Sequence, residues 1–163
     1  MKNLAALVLI SVVGLAGCAF IPTNPTPRPT APVAALPTTT PIHMAENTLA
    51  VYHKSGGIAG ITEILTVYTD GNLDLFASWK NSRGQATVDP ARLAKLQNLL
   101  TSPAYNNLQA SYQADGADLF TYRVTTRTSD GKTRTVTTMD AAKHPEIFGQ
   151  VIAELNALRT LVK

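Results

Sequence analysis

Residues 61–79 read Ile-Thr-Glu-Ile-Leu-Thr-Val-Tyr-Thr-Asp-Gly-Asn-Leu-Asp-Leu-Phe-Ala-Ser-Trp, and this stretch decides the fold. Ile61 to Thr69 is dense in β-branched and apolar residues, which suit a pleated surface buried on one side. Asp70-Gly71 follows, a pair that favours the positive backbone angles of a tight hairpin turn. Asn72 to Trp79 then returns as the partner strand. An antiparallel pair with one apolar face is therefore the seed from which the rest is read.

On the N-terminal side, Leu49 to Lys54 reads as a short strand, joined to the first by the glycine-rich turn Ser55-Gly56-Gly57-Ile58-Ala59-Gly60. On the C-terminal side, Asn81-Ser82-Arg83-Gly84 reads as a turn and Gln85 to Val88 as a short extended piece. Asp89-Pro90 places a capping carboxylate before a proline at the first helical position. Leu93, Leu96, Leu99 and Leu100 follow at helical spacing, so an amphipathic helix runs to about Thr101. Ser102-Pro103 begins a turn with Tyr105 and Leu108 as apolar contacts. Leu119 to Arg127 is a strand with Phe120, Tyr122 and Val124 on one face, Asp130-Gly131 is a second hairpin signal, and Lys132 to Thr138 pairs back. Pro145 opens a last helix whose Ile147, Phe148, Val151, Ile152, Leu155 and Leu158 form one wide apolar face. The order ββ(β)α-ββα predicts an α+β domain over 48–163: an antiparallel sheet of four to five strands with two amphipathic helices on one face.

The chain has 163 residues, and charged residues make up 15% of them, well below an average soluble protein. Seven of the ten prolines fall between Pro22 and Pro41. With Lys2, Arg28 and Glu46 outside the 48–163 domain, the remaining formal charge is +2, too small for a nucleic-acid footprint. The single cysteine, Cys18, excludes an intrachain disulfide. His43, His53 and His144 lack metal-ligand spacing, so neither a metal nor another cofactor is expected.

Before the domain, Lys2 and the apolar run Leu4–Leu15 form a secretory signal over 1–17, too short to span a bilayer stably. It ends Leu15-Ala16-Gly17-Cys18, which resembles the lipobox of bacterial lipoproteins. That resemblance implies a diacylglyceryl thioether on Cys18, cleavage before it, and acylation (typically palmitate) of the new amino group. Several acyl chains anchor durably, since each buried CH₂ contributes about 0.8 kcal/mol. Residues 18–47 are rich in proline, threonine and alanine, with no apolar periodicity, and read as a disordered linker. Extended at ~3.1 Å per residue, such a segment holds a domain up to about 80–90 Å from the membrane. The expected location is extracytoplasmic, on the bacterial cell envelope, with the membrane as a partner through Cys18.

No enzyme constellation assembles. There is no Gly-x-Ser-x-Gly elbow, and the lipobox resemblance implies that the lone cysteine carries lipid rather than acting as a nucleophile. His53 and Ser55 share a strand face, but no orienting carboxylate accompanies them. Asp115 and Asp118 stand at a loop-to-strand boundary, where Asp118 is expected to cap or pair locally. Arg123, Arg127, Lys132 and Arg134 lie on one hairpin and read either as a solvated strand face or as a site for polyanions or lipid headgroups. The Gly56-Gly57-x-x-Gly60 turn precedes a strand rather than a helix and does not fit a phosphate-binding pattern. It is either a tight connection or a bare-backbone loop that enters a narrow partner site.

Ser55-Gly56-Gly57-Ile58-Ala59-Gly60 after a short strand resembles the opening motif of the emfourin family, inhibitors of protealysin and other thermolysin-like metallopeptidases. Leu99-Leu100 followed by Pro103-Ala104-Tyr105-x-x-Leu108 resembles the family's helix and apolar turn. Ala117-Asp118-Leu119-Phe120-Thr121-Tyr122 resembles its Ala-Asp-x-Phe-x-Tyr strand. Val136, the Asp140 region and the helix after Pro145 resemble its C-terminal part, so the likeness covers about 48–160. It implies a compact monomeric inhibitor that blocks a peptidase cleft. Ser55, Gly56, Gly57, Ile58, Ala59 and Gly60 would lie at the contact, and Asp118, Phe120 and Tyr122 would be structural. The chain departs from the family in its lipid anchor and linker, its cleaner Asp-Gly hairpin, and Ile58 where the family pattern has an aromatic residue. The competing expectation is an envelope-binding or scaffold module that uses the Arg123–Arg134 hairpin.

Overall fold

The computed structural model describes residues 44–163. The expected signal segment, Cys18 and most of the expected linker lie outside the described residues. Six strands form a single antiparallel sheet: β1 (Thr48–Gly56), β2 (Ile61–Tyr68), β3 (Asn72–Ala77), β4 (Ser82–Thr87), β5 (Phe120–Arg127) and β6 (Thr133–Met139). Helix α1 (Pro90–Thr101) and the single-turn α2 (Pro103–Asn106) separate β4 from β5, and α3 (Glu146–Arg159) follows β6. The spatial order is β4-β3-β2-β1-β5-β6. Four strands meander from β1 outward to β4. The chain then crosses through α1 and α2 and lays β5 on the free side of β1, so that β1 ends up inside the sheet.

The class is the one the sequence predicts, but the sheet has one strand more and there are three helices rather than two. The extra strand comes from Ser82-Arg83-Gly84, which reads as a turn and is instead the first half of β4, paired with Leu75, Phe76 and Ala77. The turn sits earlier, in a 3-10 segment Ser78–Lys80. Asn81 closes it by adopting φ 45° and donating its N–H to Ser78 O. Trp79 therefore leaves the strand that the sequence gives it. The third helix is α2, where Ser102 Oγ accepts the Tyr105 N–H at 3.2 Å and turns a predicted loop into one helical turn.

The predicted punctuation otherwise forms as its chemistry requires. Asp89 Oδ1 accepts the Arg92 N–H at 3.0 Å and caps α1, with Pro90 behind it. Gly71 takes φ +87° between β2 and β3, and Asp70 Oδ1 accepts the Asn72 N–H. One sheet face carries Ala50, Tyr52, Leu65, Val67, Leu73, Val124 and Val136 into a common core with Leu96 and Leu100 of α1 and Phe148, Val151, Leu155 and Leu158 of α3. Two clamps hold the helices. Glu154 of α3 is 6% exposed and accepts from Arg92 at 2.6 Å and Lys95 at 2.7 Å. Burial raises its pKa, but the two cations outweigh that and hold it below the usual carboxylate value. Glu63 of β2, equally buried, takes both contacts from Arg159 Nη1, at 2.8 and 2.9 Å.

The folded part begins before Thr48. Met44 is buried, and Arg127 donates to the Met44 and Ala45 carbonyls. The predicted domain start at residue 48 thus moves at least four residues earlier. At the far edge, β6 is covered by residues 110–112, which exchange backbone hydrogen bonds with Thr137 at 2.9 and 3.0 Å.

Candidate functional site

The loop between β1 and β2 is the part of the fold built most unlike a plain connection. Ser55 is still in β1, between Thr62 and Thr121. Gly56, Gly57 and Gly60 then take φ of +115°, +70° and +56°, a region that side-chain-bearing residues rarely occupy. A Cβ at Gly56 would strike the Leu119 carbonyl, and one at Gly57 would lie 2.7 Å from the Phe120 ring. The Gly60 N–H closes the loop on Gly57 O at 2.9 Å. Ile58 and Ala59 form the tip, where the Ile58 side chain is 90% exposed.

The loop rests on an aromatic ladder. Phe120 lies under Gly57, with Lys54 Nζ 4.2 Å from the centre of its ring. Tyr122 lies 6.5 Å from Phe120 and stacks on Tyr52 at 6.4 Å with the rings 6° apart. Tyr52 donates its hydroxyl to Asn156 of α3. Burial, and then Asp140, push the Tyr122 hydroxyl up to about 12, while burial above all raises that of Tyr52. Both phenols are therefore neutral hydrogen-bond donors at any physiological pH.

One carboxylate fixes this ladder. Asp140, just past β6, accepts the Phe120 N–H at 3.0 Å and the Tyr122 hydroxyl at 2.7 Å. Its own N–H returns to Phe120 O at 2.9 Å. This is the local cap expected of Asp118. Asp118 instead is exposed at φ +58°, and among the described residues its carboxylate has no hydrogen-bond partner. Its contribution is the left-handed turn that leads into β5. Of the expected structural set, Tyr122 packs against the core and Phe120 is only half-buried, because the ring supports the loop rather than the core. Asp140 is the residue missed among individual positions. Its signal was an aspartate directly after a β-branched strand that must pair with a strand carrying a tyrosine.

His53 sits on the sheet face opposite the helices, between Ile64 and Arg123. Burial first, then Arg123, lowers its pKa, so the imidazole is held neutral. It shares that face with Ser55, as period-two spacing requires. No group of three His, Cys, Asp or Glu side chains suited to a metal occurs among the described residues, and no helix there is long and apolar enough to cross a membrane.

The four cations of the β5–β6 hairpin do not form one patch. Arg134 points to the helix side, over Tyr105, and donates to the Asn106 and Leu108 carbonyls. Arg127 donates to Gly131, Met44 and Ala45. Lys132 pairs with Asp130 at 2.9 Å, and Arg123 stands beside His53 on the opposite face from Arg134. Compared with protein-family models, curated proteins and solved structures, the chain matches none.

Proposed function

We propose that this protein is a lipid-anchored extracytoplasmic inhibitor of a thermolysin-like metallopeptidase, and that the Ser55–Gly60 loop enters the enzyme's cleft with Ile58 leading. The observation that carries this reading is the construction of the loop. Three glycines in left-handed backbone conformations lift an isoleucine 90% into solvent, while Phe120 and Asp140 keep the base from moving. A loop held in one shape before it binds loses little entropy on binding. A bare backbone flanking one apolar side chain fits a narrow substrate-like site. Inhibition through the backbone and Ile58 is favoured over coordination of the enzyme's zinc by His53, because His53 is half-buried in the strand and three residues from Gly56. Cys18 holds the protein on the envelope, and the proline-rich segment supplies reach.

The test is inhibition of thermolysin by the full chain in non-ionic detergent, with a fluorogenic peptide and preincubation. The expected outcome is stoichiometric inhibition that Ile58→Asp abolishes without changing the melting temperature. Gly57→Trp is a poorer probe, since any side chain there collides with Phe120 and strains the backbone. If the wild-type chain fails to inhibit and instead binds anionic polymer in a salt-sensitive way through Arg123, the envelope-module reading replaces this one.

A further inference from the structure

Among the described residues, three large hydrophobic side chains are exposed: Ile58, Trp79 and Leu161. All three lie toward one end of the sheet. Gly56 pairs with Ile61 where the first loop leaves β1 and β2, and Glu63, two residues on, pairs with Ala77, next to the Ser78–Lys80 turn. The Ser78–Lys80 turn is tied to the start of β2, just past the first loop, because Ser78 Oγ accepts the Thr62 N–H at 2.9 Å. Leu161 follows α3, whose Arg159 is tied to Glu63 at this same end.

Trp79 is the only tryptophan in the chain, and it is 57% exposed. An indole in water costs free energy that a β-strand position would have avoided. It is nevertheless held in place: Lys80 Nζ lies 4.5 Å from the ring centre, and Asn81 locks the turn. Beside it runs a groove of about 190 Å³ between Trp79–Lys80 and the end of α3. The acid that lines this groove, Glu63, is paired with Arg159, and Lys80 and Lys163 line it as well. Tryptophan is among the few residue types that carry most of the binding energy at protein–protein contacts.

We propose that the Trp79–Lys80 turn is a second contact element for the same metallopeptidase, resting on an apolar, acidic rim of the cleft that receives Ile58. This rests on the inhibitor reading above and adds to it a partner surface of stated chemistry. The commitment to one partner follows from continuity: the turn that carries Trp79 is bonded to the start of β2, the strand that leaves the Ile58 loop, so the two exposed side chains stand on neighbouring connections of the sheet.

The experiment measures inhibition constants and association rates for full-length Trp79→Ala and Lys80→Glu in detergent, beside Ile58→Asp. A second readout follows 5-fluorotryptophan at position 79 by ¹⁹F NMR as thermolysin is added. The expected results are an inhibition constant raised about tenfold by Trp79→Ala, and slower association for Lys80→Glu that converges with wild type at high salt. The ¹⁹F resonance shifts on complex formation. If both variants inhibit within twofold of wild type and the resonance does not move, this inference is wrong and the single-loop inhibitor stands. If the wild-type chain does not inhibit at all, both readings fall together.

Discussion

Two of the glycine-marked hairpin ends of this sheet, β1–β2 and β5–β6, use their polar and charged groups in opposite ways. At the β5–β6 end the hydrogen-bonding capacity turns inward. Arg127 and Arg134 satisfy carbonyls of the N-terminal segment and of α2 and the loop after it, and Thr128 bonds Asp130 and the Lys132 carbonyl. At the β1–β2 end the support is inward but the tip is not. Phe120, Tyr122 and Asp140 hold the base, and Ile58 makes no use of them. In sequence the four cations read either as a solvated strand face or as an anion site, and the glycine turn either as a tight connection or as a partner loop. The structure bears on the cations, because a group already engaged within its own protein must break that contact before it can bind a partner.

The sharpest way to break this comparison is Ile58→Asp. It removes the one unspent apolar group at the tip and puts a charge where an apolar pocket would close. An inhibition constant raised at least about a hundredfold is expected, with no change in melting temperature. Next in size is Asp140→Ala, which frees the Phe120 N–H and the Tyr122 hydroxyl together. Losing two bonds to one carboxylate costs about 2 kcal/mol of stability. Because the loop then loses its fixed seat, inhibition weakens about tenfold, the equivalent of about 1.4 kcal/mol. If Asp140→Ala lowers stability but leaves inhibition intact, the seat and the tip are independent and the pre-organised loop is the wrong account.

Much of the fold was legible because its signals are local. Asp70-Gly71, Asp89-Pro90 and the leucines of α1 act over a few residues and formed as read. Of the fourth strand only the second half was legible, as the extended piece from Gln85, because nothing in Ser82-Arg83-Gly84 favours a strand by propensity. Those residues are extended because β3 lies beside them, and Gly84 fits because Val162 and Lys163 pass within 2.6 and 2.8 Å of where its Cβ would be. The same long-range cause displaced Trp79 into a turn. For the loop, the sequence marked the glycines but not what supports them. Phe120 and Asp140 are 63 and 83 positions away from Gly57, and only the pairing of β1 with β5 and β5 with β6 brings them together. The aspartate expected to cap, Asp118, differs from the one that does in a single respect that spacing cannot reveal: it precedes the strand rather than closing the neighbouring one.

Smaller effects sharpen the inward half of the comparison. Arg134→Ala removes two carbonyl contacts and the cation over Tyr105, for a loss of about 1–2 kcal/mol by chemical denaturation. Inhibition is unchanged, because none of those partners lies at the loop end. Lys132→Ala, by contrast, leaves both stability and inhibition as they are. Its pair with Asp130 is exposed on both sides, and such pairs contribute little. A drop in stability for Lys132→Ala comparable to that of Arg134→Ala would mean that the hairpin tip carries structure beyond its hydrogen bonds.

The smallest effect expected to be measurable lies in His53, in the strand that leads to the loop. Burial and Arg123 lower its pKa from 6.5, so the native state resists protonation that the unfolded chain accepts. The unfolded state therefore binds more protons in the window just below pH 6.5, and stability falls as pH drops through it. Above that window both states hold a neutral imidazole and the contribution is complete. His53→Gln should flatten the pH dependence of the melting temperature just below pH 6.5, while Arg123→Ala, by removing one of the two causes, should make the fall smaller. Inhibition should follow neither change, since the strand register that positions Ser55 and Gly56 is set by backbone pairing to β2 and β5 and not by the charge on this ring. A loop whose inhibition weakened on acidification in wild type, but not in His53→Gln, would instead make the imidazole part of the contact and bring the two halves of the sheet end closer in kind.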